Sequence, residues 1–189
     1  MKKILLIGLS LLLSGCVSVA KIEGGDRVVG ERLTLTIEGA WNHVNAPGLG
    51  PAQVWTMEGM TIDQMLIYTG LKDGEVIHAP SPSGQKSFTF KSSMQPDEIV
   101  GLFEGTFTRD GSTFKLVKLE PANVGGQKGF RFEYALVRKV DSVRLSGVGF
   151  VAVSRNELFA VIYQAPRLVF FERNAARIEN IGRSMRIKG

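Results

Sequence analysis

The chain has a single cysteine, Cys16, and two histidines, His43 and His78, in 189 residues. A lone cysteine excludes an internal disulfide and every paired-thiol metal or redox motif. Neither histidine stands in an HExxH or His-rich pattern, so no metal-ligating spacing is present and no cofactor is expected. The GxSxG turn that exposes a nucleophilic serine is missing. His78-Ala79-Pro80-Ser81 does set a serine near a histidine, but a triad is defined by geometry and not by adjacency in sequence. Gly48-Leu49-Gly50 and Gly125-Gly126 lack the lysine and the glycine spacing of a phosphate cradle. Asp63, Asp73, Asp110 and Glu133 are scattered, and they read as turn or solvated strand positions before they read as an acid–base pair. The net charge of +5 is mild and forms no basic stripe, which removes nucleic acid from the expected partners. Both histidines read as loop residues, and no catalytic residue is named.

What is present begins at the N-terminus. Lys2 and Lys3 precede an apolar run, Ile4 to Leu13, and small residues follow. That order is the three-part pattern of a secretory signal. The run is too short to span a bilayer comfortably, which takes about 20 residues. Leu13-Ser14-Gly15-Cys16 resembles the lipobox of bacterial lipoproteins at every position. The resemblance implies diacylglycerol on Cys16, cleavage before it to remove residues 1–15, and acylation (palmitate or a similar chain) of the new amine. Two or more acyl chains anchor a protein stably where one does not. The residue after Cys16 is Val17 and not aspartate, which resembles the pattern for outer-membrane delivery and implies a body facing the periplasm.

Removing residues 1–15 from the 189 leaves 174, a length suited to one domain with a sizeable core. Val17 to Gly30 shows no sustained period, so residues 16–30 are expected to be a lipidated flexible tether with a reach on the order of 20 Å. Residues 31–189 form the expected single domain. Leu33, Leu35 and Ile37 alternate with polar residues as a half-buried strand. Val54–Met57 and Met65–Thr69 are predicted strands joined by a turn at Glu58–Thr61, and Asn45–Ala52 is a loop. A short strand at Glu75–Ile77, a loop at His78–Lys86 and an edge strand at Phe88–Lys91 follow.

Pro96 at a first helical position, Asp97 and Glu98 after it, and the stripe Ile99, Leu102, Phe103, Phe107 predict a helix. Gly101 and Gly105 fall on its opposite face and are read as a cost to be met by tertiary packing. Phe114–Glu120 and Gly129–Arg138 are predicted strands. Val143–Val153 and Glu157–Gln164 are predicted to form a hairpin with Ser154 opposite Glu157. That register sends Val151, Val153, Leu158, Ala160 and Ile162 to one face and Val148, Phe150, Ala152, Phe159, Val161 and Tyr163 to the other. A ribbon apolar on both faces belongs in the middle of a covered sheet. Gly147 and Gly149 leave room there for a helix or an aromatic ring. A final helix is predicted over Phe170–Met185, with Ala175 and Gly182 allowing it to lie close to the sheet.

Together these elements make an α+β domain with a central antiparallel β-sheet and two main helices packed on it. The strand-dense second half, with Glu120-Pro121, Gly125-Gly126, Gly129-Phe130-Arg131-Phe132 and the closing helix, resembles the PsbP-like α/β/α sandwich family across roughly Leu33 to Ile187. The resemblance implies a non-enzymatic assembly or binding factor and carries no site residue with it. The expected function is therefore a lipid-anchored envelope factor held to the membrane through Cys16 and binding another envelope protein. Its partner surface is expected at the sheet edge or at the loops Pro47–Pro51 and His78–Lys86. Two alternatives stay open: a small hydrolase using His43 or His78, and a carrier of an apolar ligand in a dry cavity near Gly147 and Gly149. Basic residues from Arg138 to Arg144 and from Arg167 to Lys188 are read as solvated, with anionic lipid as the sharper alternative.

Overall fold

The structure is a computed structural model that describes residues 17–78 and 87–188. Residues 1–16, which hold the expected signal sequence and Cys16, lie outside the described residues, as do Ala79–Lys86 and Gly189. In chain order the strands are β1 (Ser18–Ile22), β2 (Gly25–Val29), β3 (Leu33–Ile37), β4 (Trp41–Asn45), β5 (Gln53–Thr56) and β6 (Gln64–Lys72). Helix α1 (Pro96–Phe107) precedes β7 (Thr113–Val124), β8 (Gln127–Val137), β9 (Arg144–Ser154) and β10 (Glu157–Pro166). The chain closes with α2 (Glu172–Arg183) and β11 (Arg186–Ile187).

Strands β9 and β10 pair in the predicted register, Ser154 opposite Glu157. They lie inside an eight-stranded antiparallel sheet of order β1-β4-β5-β6-β10-β9-β8-β7. Both of their apolar faces are covered. On one, Val148, Phe150, Phe159, Val161 and Tyr163 meet Ile178, Ile181 and Met185 from α2 and its C-terminal turn, and Leu33, Leu35 and Ile37 from β3. On the other, Val151, Leu158, Ala160 and Ile162 meet Ile99, Leu102 and Phe103 of α1. The result is a three-layer α/β/α sandwich, with a second sheet of order β11-β3-β2 beside α2. Each large apolar side chain so buried contributes about 1.5–3 kcal/mol, which is why the two faces, and not the loops, dominate stability.

Two glycine positions explain how the layers close. In β9, a Cβ on Gly147 or Gly149 would collide with the rings of Tyr134 and Phe132, which lie flat over them. The predicted space is filled by aromatic rings of β8. In α2, a Cβ on Gly182 would run into the Phe150 ring, so the helix seats directly on the sheet through that residue. On α1, Gly105 receives the Phe88 ring while Gly101 faces open space. The helix is held by packing on its apolar stripe and by Glu98, whose Oε2 accepts the Gln95 amide at 2.7 Å.

Several expectations are corrected. The stretch Val17–Gly30 is no tether: Ser18–Ile22 pairs with Trp41–Asn45 at the sheet edge, and Gly25–Val29 pairs with Leu33–Ile37. Its hydrogen bonds go to strands that local periodicity does not reveal, and Val17, Val19 and Val28 stay exposed. The domain therefore starts near residue 18 and not at 31. Glu75–Ile77 and Phe88–Lys91 shrink to a single bridge, Val76 to Thr89, flanked by hydrogen bonds Ile77 to Phe88 and Phe90 to Glu75. The last helix is shorter than predicted at both ends: residues 167–171 form an irregular turn in which Val169 has φ 74°, and the helix is capped at Ser184 before the chain extends into β11.

Replacing Gly182 with alanine is expected to destabilise the domain by about 1–3 kcal/mol, since the added methyl must displace Phe150 or lift α2. Urea denaturation followed by circular dichroism measures it, and an unchanged midpoint would contradict this account of how α2 seats on the sheet.

Candidate functional site

A half-buried network of charged side chains sits between α2 and the outer strands. On β8, Phe130, Phe132, Tyr134 and Leu136 point to α1, so the alternation places Arg131, Glu133 and Ala135 on the α2 side. Arg131 Nη1 donates to Glu133 Oε1 at 2.6 Å and to Glu120 Oε1 at 3.3 Å, while Nε donates to Glu179 Oε1 at 2.8 Å. The guanidinium also lies 5.8 Å from the centroid of the Phe150 ring. Burial works against this cation, but the hydrogen bonds it donates to Glu179 and Glu133 outweigh it and hold its pKa above the usual value. Lys118 hydrogen-bonds Glu120 and, with Arg131, keeps that carboxyl below its ordinary range.

A groove of about 470 Å³ opens beside this cluster, lined by Arg131, Glu133, Ser146, Arg167, Phe171 and Glu179. The arrangement is an ion network that ties α2 to β7 and β8. Arg131 spends its donors on three carboxylates, so it presents no free fork to an anionic ligand.

The sequence candidates are dispersed. His43 sits on β4 with its ring 6.2 Å from that of Trp55. His78 is buried: its Nε2 accepts the Phe88 amide at 3.1 Å and its Nδ1 lies 2.6 Å from Arg109 Nη1. The fold thus gives His78 a structural setting against the Phe88 ring, and His43 lies on a different element. Asp63, expected as a turn residue, is one, and a buried one. Its carboxylate accepts from Thr56 Oγ1 at 2.6 Å and from the amides of Met57 and Glu58 at 3.1 and 2.8 Å. Asp73 accepts the Ser92 amide at 2.6 Å and Asp110 the Ser112 amide at 2.9 Å. Among the described residues no group of three or more His, Cys, Asp or Glu is placed to hold a metal ion. On the α1 side of Gly147 and Gly149 the space is filled by the rings of Tyr134 and Phe132, whereas the groove on the α2 side reaches Gly147 together with Val148, Phe171 and Ala175.

One feature escaped the sequence. Val140, Leu168 and Val169 are 83%, 70% and 63% exposed, and Arg144 and Arg167 lie beside Leu168. Val169 is β-branched yet holds φ 74°, a conformation that costs about 1–3 kcal/mol. Neither core is tightened by it, because its side chain stays in water. The only available signal was the run Leu168-Val169-Phe170 after Pro166, which reads equally as the start of a helix.

Helices on opposite faces of one antiparallel sheet place this chain in the class of PsbP-like α+β sandwiches. The particular likeness is to the solution structure of cyanobacterial PsbP (CyanoP) from Synechocystis sp. PCC 6803. The match covers 92% of this chain and 95% of that chain, with a TM-score of 0.57 and 13% sequence identity. At that identity the likeness concerns the path of the backbone. No family model matches the chain, and no curated protein matches it in sequence.

Replacing Arg131 with methionine keeps the aliphatic stem near Phe150 and removes the cation shared by three carboxylates, leaving Glu120 with Lys118 at 2.7 Å and Glu179 with Arg183 at 3.7 Å. The expected loss is about 2–3 kcal/mol at neutral pH, at or below the 3–5 kcal/mol of a fully buried pair. Lys118 is the larger cause of the lowered Glu120 pKa and remains in the variant, so only the smaller share from Arg131 is removed; that share is complete above the ordinary value of 4.5 and is lost as pH falls through the folded value. The gap between wild type and variant should therefore narrow on acidification, and urea midpoints at pH 7 and about pH 3.5 test this. A second expectation is that Val169→Gly raises stability by roughly 1 kcal/mol in thermal denaturation, through release of the strained φ.

Proposed function

We propose that this chain is a lipid-anchored, non-catalytic binding or assembly factor of the bacterial cell envelope. The observation that carries the reading is the Leu13-Ser14-Gly15-Cys16 motif placed directly before a folded domain whose polar clusters serve its own architecture. Arg131, Asp63 and His78 each hold segments of the fold together. The PsbP-like backbone supports the reading as a scaffold that presents surfaces.

The surface offered to a protein partner is the end of the sandwich that carries Val140, Leu168 and Val169 with Arg144 and Arg167. Apolar side chains ringed by arginine combine burial on docking with a preference for acidic rims. In this reading the protein is delivered to the outer membrane and faces the periplasm.

Cys16→Ser is expected to move the protein from the membrane to the soluble fraction and to abolish incorporation of labelled palmitate. Fractionation and intact-mass measurement check it. A wild-type protein that carries no lipid, or a variant that stays membrane-bound, would overturn the anchor.

A further inference from the structure

We infer that the end of the large sheet bearing Ser18 and the Asn45–Ala52 loop lies against the bilayer, so that the domain is held flush on the membrane in one orientation. The inference rests on the proposed lipidation of Cys16 and adds to it a defined face and its opposite.

Chain length sets the constraint. Ser18 is already paired with Asn45 as the first residue of β1. Only Val17 separates it from Cys16, and two residues fully extended reach at most ~7 Å. A lipidated Cys16 cannot stand off further than that from the sheet edge. β1 is antiparallel to β4, so the chain before Ser18 runs in the direction that β4 takes beyond Asn45. The anchor therefore emerges beside the Asn45–Ala52 loop.

The composition of that end suits a headgroup layer. Asn45-Ala46-Pro47-Gly48-Leu49-Gly50-Pro51-Ala52 carries no charge. Val17 and Val19 are 62% and 60% exposed next to it. Further along the same end, Lys72 pairs with Glu157 at the start of β10, and Arg155 forms the turn between β9 and β10. Both cations are exposed, as are Asp73 and Glu75 in the turn after Lys72, so this end is of mixed charge and its fit to a headgroup layer rests on the uncharged loop and the two exposed valines.

The opposite end follows from strand length. β9 has 11 residues, which spans roughly 35 Å. Its far end carries Val140, Leu168 and Val169, which this orientation turns away from the lipid.

The test uses full-length, lipidated protein extracted from membranes and reconstituted into vesicles of phosphatidylcholine and phosphatidylglycerol containing headgroup-nitroxide lipid. The sulfur of a thioether-linked Cys16 does not react with thiol reagents, so Pro47→Cys and Val140→Cys each supply a single labelling site for a bimane fluorophore. Both positions are exposed, and circular dichroism verifies the fold. Strong quenching is expected at 47 and little at 140. Inserting about ten Gly/Ser residues between Val17 and Ser18 restores a coil reach of roughly 17 Å and should weaken quenching at 47. Intact mass is read on the same samples. Lipid present with equal quenching at 47 and 140, or with stronger quenching at 140, overturns the orientation and leaves the anchor standing. Lipid absent overturns the anchor and the orientation with it.

Discussion

From Leu145 opposite Pro166 to Ser154 opposite Glu157, β9 and β10 are paired along ten positions, and both surfaces of that ribbon are apolar. Water must be kept from each. One helix cannot do this, so the molecule has two cores on opposite sides of one sheet, with α2 and the small sheet on one side and α1 on the other. The close approaches follow. Gly182 brings α2 down onto Phe150, and Gly147 and Gly149 admit the rings of Tyr134 and Phe132. The α1 side of Gly147 and Gly149 is thus closed by packing, while a groove of about 470 Å³ stays open between α2 and the sheet.

The polar chemistry is subordinate to that packing. Arg131 has to leave β8 on the face where α2 lies, and an unpaired guanidinium there would be costly. Glu120, Glu133 and Glu179 surround it, coming from two strands and a helix. Asp63 does the same for the turn between β5 and β6, where backbone amides would otherwise lack acceptors. Such clusters resemble sites in their charge and burial, yet each is used up by the fold. Leu168 and Val169 are the reverse case: the backbone is strained there while both side chains stay in solvent.

The parts legible in the sequence share one property: their signal is local. The hairpin shows as two runs of matched alternation around Arg155-Asn156, and α1 shows as a cap, acidic first turn and apolar stripe. Residues 17–30 lack such a signal. In β1 and just before it, Val19 and Val17 are exposed and the strand exists because Trp41–Asn45 offers an edge; in β2, Gly25–Val29 completes a small sheet with β3. Periodicity alone makes that stretch a tether, and the pairing in space makes it two strands. The difference matters physically, because a tether frees a domain from its anchor and a strand binds it to one.

By itself the sequence determined the secondary periodicity, the two-faced hairpin that demands a central place in the sheet, the absence of paired thiols, and the motif ending at Cys16. These are properties of neighbouring residues and of composition. Only the tertiary structure decided that Glu179 meets Arg131, that Arg186–Ile187 pairs with Leu33–Thr34, and that Ser18 enters the sheet one residue after Val17. Those outcomes depend on which distant strand edges and charges are left unsatisfied once the two cores have closed, and chain closure of that kind has no local period to read.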